Sequence, residues 1–202
     1  MTITNGYCTQ SELQIHLENT QDISDAMTSR CEQAISQSSR FIDLYTGRIF
    51  YSATLTAEKL DIYAMSPNGL YINADRRDRI YSPAPILTLT SITEDDVSVG
   101  TVDVDYFIYS PLAGSIGDCS IVKSGGGLWS KDNQAISLTG TIGYASTPWE
   151  VKNLCLEISA LIMRAKESYL TNSSGDIVGQ FEQVLPKLTL LTLKMLRRKI
   201  VV

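Results

Sequence analysis

Apolar residues recur every three or four positions from Ala26 to Tyr45, and that rhythm stops at Gly47. The spacing predicts a long helix opened by Asp22 or Ser24, with a buried stripe of Met27, Cys31, Ala34, Ile35, Phe41, Ile42 and Tyr45. Gly47 stands where a left-handed C-cap is wanted. Ahead of it, Thr9-Gln10-Ser11-Glu12 has capping-box spacing, and Leu13, Ile15 and Leu17 follow on a short helix ending near Glu18-Asn19.

From Arg48 the period shortens. Ile49 to Leu60 is rich in Thr, Tyr and Leu, Ser66-Pro67-Asn68-Gly69 is a turn of the hairpin-forming type, and Leu70-Tyr71-Ile72 continues as strand. Ile80-Tyr81 and Ile86–Ile92 are strand-like, while Pro83 and Pro85 bar the intervening stretch from the middle of a ladder. Glu94-Asp95-Asp96 is an acidic turn. Val102 to Tyr109 alternates, with Val102, Val104, Tyr106 and Ile108 on one side. Ile121-Val122 and Ala135–Leu138 flank a glycine loop, Gly125-Gly126-Gly127, which is expected to close a hairpin. Helical spacing returns after Thr147, the predicted N-cap, with Pro148 at the first helical position and Glu150 in the first turn. Val151, Leu154, Cys155, Ile158, Leu161, Ile162 and Ala165 form the stripe, and this helix is expected to run to about Tyr169. Pro186 starts a last helix.

The pattern predicts an α+β chain: a helical bundle of two N-terminal helices, a long helix after the β region and a C-terminal helix, with an inserted antiparallel β domain. Its expected divisions are a helical core over 1–48 and 146–170, a β region over 49–145, a linker over 171–185 and a C-terminal docking helix over 186–202.

With 44% hydrophobic residues, the 202-residue chain can build a core. No apolar run approaches the ~18 residues of a membrane span, and Met1-Thr2-Ile3-Thr4-Asn5 has neither a basic nor an apolar leader segment, so no signal peptide and no membrane partner are expected. The net charge of -5 is unevenly spread. Residues 186–202 carry +5, from Lys187, Lys194, Arg197, Arg198 and Lys199, which leaves -10 on the other 185 residues. An acidic body repels a nucleic-acid backbone. Cys8, Cys31, Cys119 and Cys155 are far apart in sequence, with no Cys-x-x-Cys, and are expected to be reduced and mostly buried.

Candidate chemistry is sparse. His16, the sole histidine, lies between Ile15 and Leu17 on the short helix with no hydrolase signature around it, so neither catalysis nor a metal site nor a cofactor is expected. Ser124–Leu128 lacks the Gly-Lys-Ser/Thr ending of a phosphate loop, and Glu94, Asp95 and Asp96 lack calcium-loop spacing. Arg76-Arg77-Asp78-Arg79 reads as a solvated basic cluster. The last helix stands apart: Leu185, Leu188, Leu190, Leu191, Leu193, Met195, Leu196 and Ile200 are not confined to one face, which calls for burial on all sides. It either completes this domain's core or docks on another subunit.

Taken in order, Tyr7–Leu13, Phe41–Phe50, Ser82–Ile86 with Leu89–Ile92, and Leu138–Tyr144 before Pro148–Val151 resemble the head–tail connector (adaptor, head-completion) proteins of long-tailed phages. The resemblance spans residues 7–170. It implies a virion protein of the neck, made in the host cytoplasm. Such proteins form a homo-oligomeric ring, usually of twelve subunits, below the portal protein. The ring extends a channel through which DNA passes without sequence-specific binding, and it docks a stopper or tail-completion protein. In this frame the candidate portal or neighbour contacts are Leu188, Leu191, Met195, Leu196, Arg197, Arg198 and Lys199. Candidate channel- or tail-facing loops are Glu94, Asp95, Asp96, Gly125, Gly126 and Gly127. The β region is longer than in compact members of that family. The rival expectation is a β-rich module that binds a small ligand or glycan on Tyr63, Tyr71, Tyr81, Tyr106, Tyr109 and Trp129, or another neck or tail-completion protein.

Overall fold

The computed structural model describes residues 5–17, 25–61, 65–73, 77–109, 119–132, 134–164 and 185–197. It contains helices and antiparallel sheets, and the chain divides into two compact units. One takes Met1–Gly47 and Thr147–Arg197, and the other takes Arg48–Ser146 between them.

The helical unit holds four helices among the described residues: α1 (Gln10–His16), α2 (Asp25–Thr46), α3 (Trp149–Arg164) and α4 (Lys187–Leu196). The capping box forms as its spacing predicts. The Thr9 hydroxyl takes the Glu12 amide and Glu12 returns to the Thr9 amide at 2.9 Å. Glu12 also pairs with Lys152 of α3, and that hydrogen bond is the chief reason its pKa is lowered. On α2, Cys31, Ala34, Ile35, Phe41, Ile42 and Tyr45 are buried, with Met27 half-buried. Gly47 at φ 64° donates to the Asp43 carbonyl at 2.8 Å and ends the helix. The predicted starts at Asp22 or Ser24, the extension of α3 through Ala165 to Tyr169, and most of the 171–185 linker lie outside the described residues.

Both C-terminal helices are led in by proline. The Pro148 carbonyl accepts from Lys152 at 2.9 Å, and the Pro186 carbonyl from Leu190 at 3.0 Å. Pro148 is therefore the cap, and α3 begins one residue later than Thr147 capping implied. A proline there gives up nothing, because its missing amide would have had no partner inside the helix.

The other unit has two four-stranded antiparallel sheets among the described residues. The strands are β1 (Ala53–Leu60), β2 (Tyr71–Ile72), β3 (Arg79–Ser82), β4 (Ile86–Glu94), β5 (Val97–Ser98), β6 (Tyr106–Tyr109), β7 (Cys119–Lys123) and β8 (Ile136–Ile142). Their orders are β1-β8-β4-β5 and β2-β3-β7-β6. In the second sheet the paired positions Ile72, Ile80, Ile121 and Ile108 form one continuous row. With Leu55, Leu60, Ile92, Trp129, Ile136, Leu138 and Ile142 they build a single apolar core. Gly143, at φ 114°, closes β8 onto Pro85 at 2.8 Å, and a Cβ there would lie 1.9 Å from the Tyr51 carbonyl oxygen.

Three sequence expectations are corrected. The strand over Val102–Tyr109 shrinks to Tyr106–Tyr109: Asp105 accepts the Thr101 amide at 2.8 Å, Asp103 adopts φ 65°, and Val102 and Val104 are 44% and 65% exposed. A side-chain-closed turn here wins over alternation. The Gly125–Gly127 loop is no hairpin, because β7 and β8 belong to different sheets; it is a short 3-10 turn leading across. Asn68-Gly69 likewise sits in a turn, Ser66–Leu70, between strands of different sheets. The true two-residue hairpin is Asp95-Asp96, both left-handed, between Glu94 and its partner Val97.

Candidate functional site

The last helix has two faces. Thr189, Leu193 and Leu196 are buried where α4 packs on α2 and α3, and the Thr189 hydroxyl donates to Glu157 of α3. Arg197 places its guanidinium 5.9 Å from the centroid of the Tyr45 ring, a cation–π contact at the end of α2. Leu191 and Met195, one turn apart on the other side, are 54% and 77% exposed. Burial on all sides, expected from the distribution of leucines, does not occur. The helix satisfies its own unit with one face and leaves an apolar i, i+4 pair in solvent. Of the nominated contact residues, Leu196 is thus an internal packing residue, Arg197 lies on Tyr45, and Leu191 and Met195 are free to meet another molecule. The Leu188 side chain, Arg198 and Lys199 lie outside the described residues. Ile15, Leu44 and Trp149 of the same unit are also exposed.

The nominated loops of the β unit behave differently from one another. Glu94 is no solvated turn acid. Its carboxylate pairs with Lys123 and accepts the Ser130 amide at 2.6 Å. Lys123 in turn donates to the Leu128 carbonyl at 3.0 Å and lies 4.9 Å from the Trp129 ring centroid. Glu94 therefore clamps the crossing segment between β7 and β8. Asp95, Asp96, Gly125 and Gly126 are exposed, and Asp96 makes a 3.7 Å ion pair with Lys59. Glu94 and Ser124 line the same shallow depression of about 360 Å³, so the acidic turn and the glycine turn are neighbours.

The aromatic residues nominated for a glycan are divided between the core and one cross-strand row. Tyr106 and Trp129 are core residues. Tyr71 and Tyr81 stack on each other, with centroids 4.9 Å apart and planes within 13°, which turns a face of each ring toward its neighbour. Tyr109 is exposed in the same cross-strand row, beyond Ser120. Tyr63 lies outside the described residues.

His16 is exposed on α1. Among the described residues no group of three or more His, Cys, Asp or Glu is placed to hold a metal ion, and no helix is long and apolar enough to cross a membrane. Sequence reading missed one cluster. Cys8, ahead of α1, brings its sulfur to 3.4 Å from that of Cys155 on α3, and Ser38 and Ser39 of α2 stand beside Cys155 at 3.6 and 3.5 Å. Its signal was the small residues within the α2 and α3 stripes. Nearby, burial raises the Asp43 carboxyl to about 6, against the opposing pull of the Tyr7 hydroxyl and Arg40.

No protein-family profile matches the sequence, and no curated protein does either. Among solved structures, the fold is similar to that of a chain in the neck of an empty GTA particle computed with C6 symmetry. The two are 13% identical with a TM-score of 0.55, and the likeness covers 100% of this chain and 95% of that one.

Proposed function

We propose that this chain is a structural neck protein of a phage-like particle: a head–tail connector whose copies form a ring below the portal, extend the DNA channel and dock a stopper or tail-completion protein. The observation that carries this reading is the end-to-end likeness of fold, helices and β region together, to a chain of a particle neck. Two features of the chain support it. Leu191 and Met195 form an exposed apolar pair on a helix whose other face is already packed, suited to a neighbouring subunit or the portal. The -10 charge outside residues 186–202 suits a passage along which DNA slides without adhering. A ring of twelve is compatible with the six-fold symmetry under which the similar neck was computed. In this role the chain binds no cofactor and catalyses nothing.

The test is to mix the purified chain with the portal protein of the same genome and image the mixture by electron microscopy. An added ring of density on the tail-facing end of the portal is the expected result. A bare portal beside folded, unbound chain rejects the adaptor position and moves the chain to a site farther down the neck.

A further inference from the structure

We infer that Cys8 and Cys155 are a redox-modification site, a thiol pair that closes to a disulfide and covalently joins the two chain segments of the helical unit. The sulfurs are 3.4 Å apart and buried. A disulfide bond is about 2.05 Å long, so closure requires the sulfurs to approach by roughly 1.4 Å. The serines around Cys155 do not compete for the contact. Ser38 donates to the Ala34 carbonyl at 2.6 Å and Ser39 to the Ile35 carbonyl at 2.7 Å. The hydrogen bond from Cys8 draws the Cys155 thiol below the ordinary range against the effect of burial, while that bond and burial hold Cys8 above it. With the Cys8 thiol as its hydrogen-bond donor, Cys155 is the sulfur placed to attack.

Hydrogen peroxide is an oxidant that balances the reaction. The Cys155 thiolate attacks one peroxide oxygen, the O–O bond breaks, and the departing hydroxide takes a proton to become water, which leaves Cys155 as a sulfenic acid. The Cys8 sulfur then attacks the Cys155 sulfur. An S–S bond forms, the S–O bond breaks, and the leaving hydroxide carries off the Cys8 proton as a second water. Two thiols lose two electrons to one peroxide. Access is gated by the segment from Asn5 to Thr9, which is tied down by Tyr7 amide to Ser39 at 3.1 Å, Arg40 to the Asn5 carbonyl at 2.7 Å, and the Tyr7 hydroxyl to Asp43. Oxidation is therefore slower than that of an open thiol. Because Cys8 and Cys155 lie 147 positions apart, their bond encloses the whole β unit in one covalent loop, and it ties together helical segments that the chain joins only through that unit.

The biological setting rests on the proposed neck role: thiols stay reduced in the cytoplasm where the chain is made and meet oxidising conditions in a released particle. The experiment has two arms. The full chain is treated with hydrogen peroxide, blocked under denaturing conditions, and followed by non-reducing peptide mass mapping and thermal unfolding, with Cys8→Ala and Cys155→Ser in parallel. The expected result is a Cys8–Cys155 linked peptide two hydrogens lighter than its parts. The melting temperature should rise by about 4–10 °C, return on reduction, and not rise in either variant. Sulfonic acids, links through Cys31 or Cys119, or a linked chain that melts no higher would overturn the proposal; the wild-type comparison needs no variant to fold. In the second arm, chain from released particles is compared with chain from cell lysate. A link in particles alone supports the proposal, and two free thiols in particles reject it. Absence of the chain from particles rejects the neck reading instead, and the disulfide is then decided by the first arm.

Discussion

In the β unit the interior is Leu55, Leu60, Ile72, Ile80, Ile121, Trp129, Leu138 and Ile142. In the helical unit, Ser38, Ser39, Thr46, Ser159, Cys8 and Cys155 are as deeply buried as the leucines around them. The hydroxyls of Ser38, Ser39 and Thr46 donate to carbonyls one turn back on their own helix, at 2.6–2.7 Å, and Ser38 also meets Ser159 across to α3. These bonds offset the cost of burying oxygen, and the small side chains let α2 and α3 approach closely. The β unit therefore relies on apolar area, whereas the helical unit adds to its own apolar stripes a set of buried polar groups, some of them paired between segments far apart in sequence. Stability in the first should respond to volume, and in the second to volume and, in addition, to protonation and redox state.

The largest effect is expected from Trp129→Ala. Trp129 is fully buried, its amide donates to the Arg77 carbonyl at 2.8 Å, and Lys123 lies on its ring. Truncation removes about 3–5 kcal/mol of stability through the cavity and the lost contacts, measured by urea unfolding with ring-current-shifted methyl signals of the β unit as the probe. A loss under about 1 kcal/mol would show that the crossing segment is peripheral and erase the contrast.

The helical unit should respond to pH as well. Burial raises Asp43 from 3.8 to about 6. A carboxyl with a raised folded pKa binds its proton more tightly in the folded state. Its contribution is full below about pH 3.8 and is lost as pH climbs through 6. Asparagine mimics the protonated side chain. The stability of wild type relative to Asp43→Asn should therefore fall by up to about 3 kcal/mol over that window, as read from unfolding midpoints at successive pH values. The charged and titratable groups facing it are Arg40, at 3.1 Å, and the Tyr7 hydroxyl. A flat difference between the two proteins would mean that Arg40 and water compensate the buried charge.

What the sequence made legible follows the range of the interaction. The Thr9–Glu12 box, the Gly47 cap and the stripes of α2 and α3 are set by residues within a turn or two of each other, and they stand where their spacing places them. The strands at Tyr71, Ile80 and Ile86 are equally local. The partition of strands into two sheets is not, because Asn68-Gly69 and Gly125–Gly127 look like hairpin turns whether or not their flanking strands pair. Val102 and Val104 alternate correctly and are overruled by one Asp105 side chain. Cys8 meets Cys155 only through the packing of α1, α2 and α3, and no spacing rule spans 147 positions. The last helix was half legible: its leucines gave the helix but not which of them point inward.

That half supplies the smallest expected stability change and the sharpest functional one. Leu191 and Met195 lie in solvent, whereas Leu193, between them in sequence, is fully buried. Leu193→Ala should destabilise the helical unit by about 2–5 kcal/mol. The pair Leu191→Asp with Met195→Asp should shift the unfolding midpoint by no more than about 0.5 kcal/mol, because an exposed helix face accepts a carboxylate at little cost. If α4 seats the chain against its neighbour or the portal, the same pair should abolish the added ring, since two carboxylates carried into an apolar contact have no counter-charge to meet them. A doubly substituted chain that folds and still forms the ring on the portal would remove α4 from the interface and turn attention to Ile15, Leu44 and Trp149, the other apolar side chains that this unit leaves exposed.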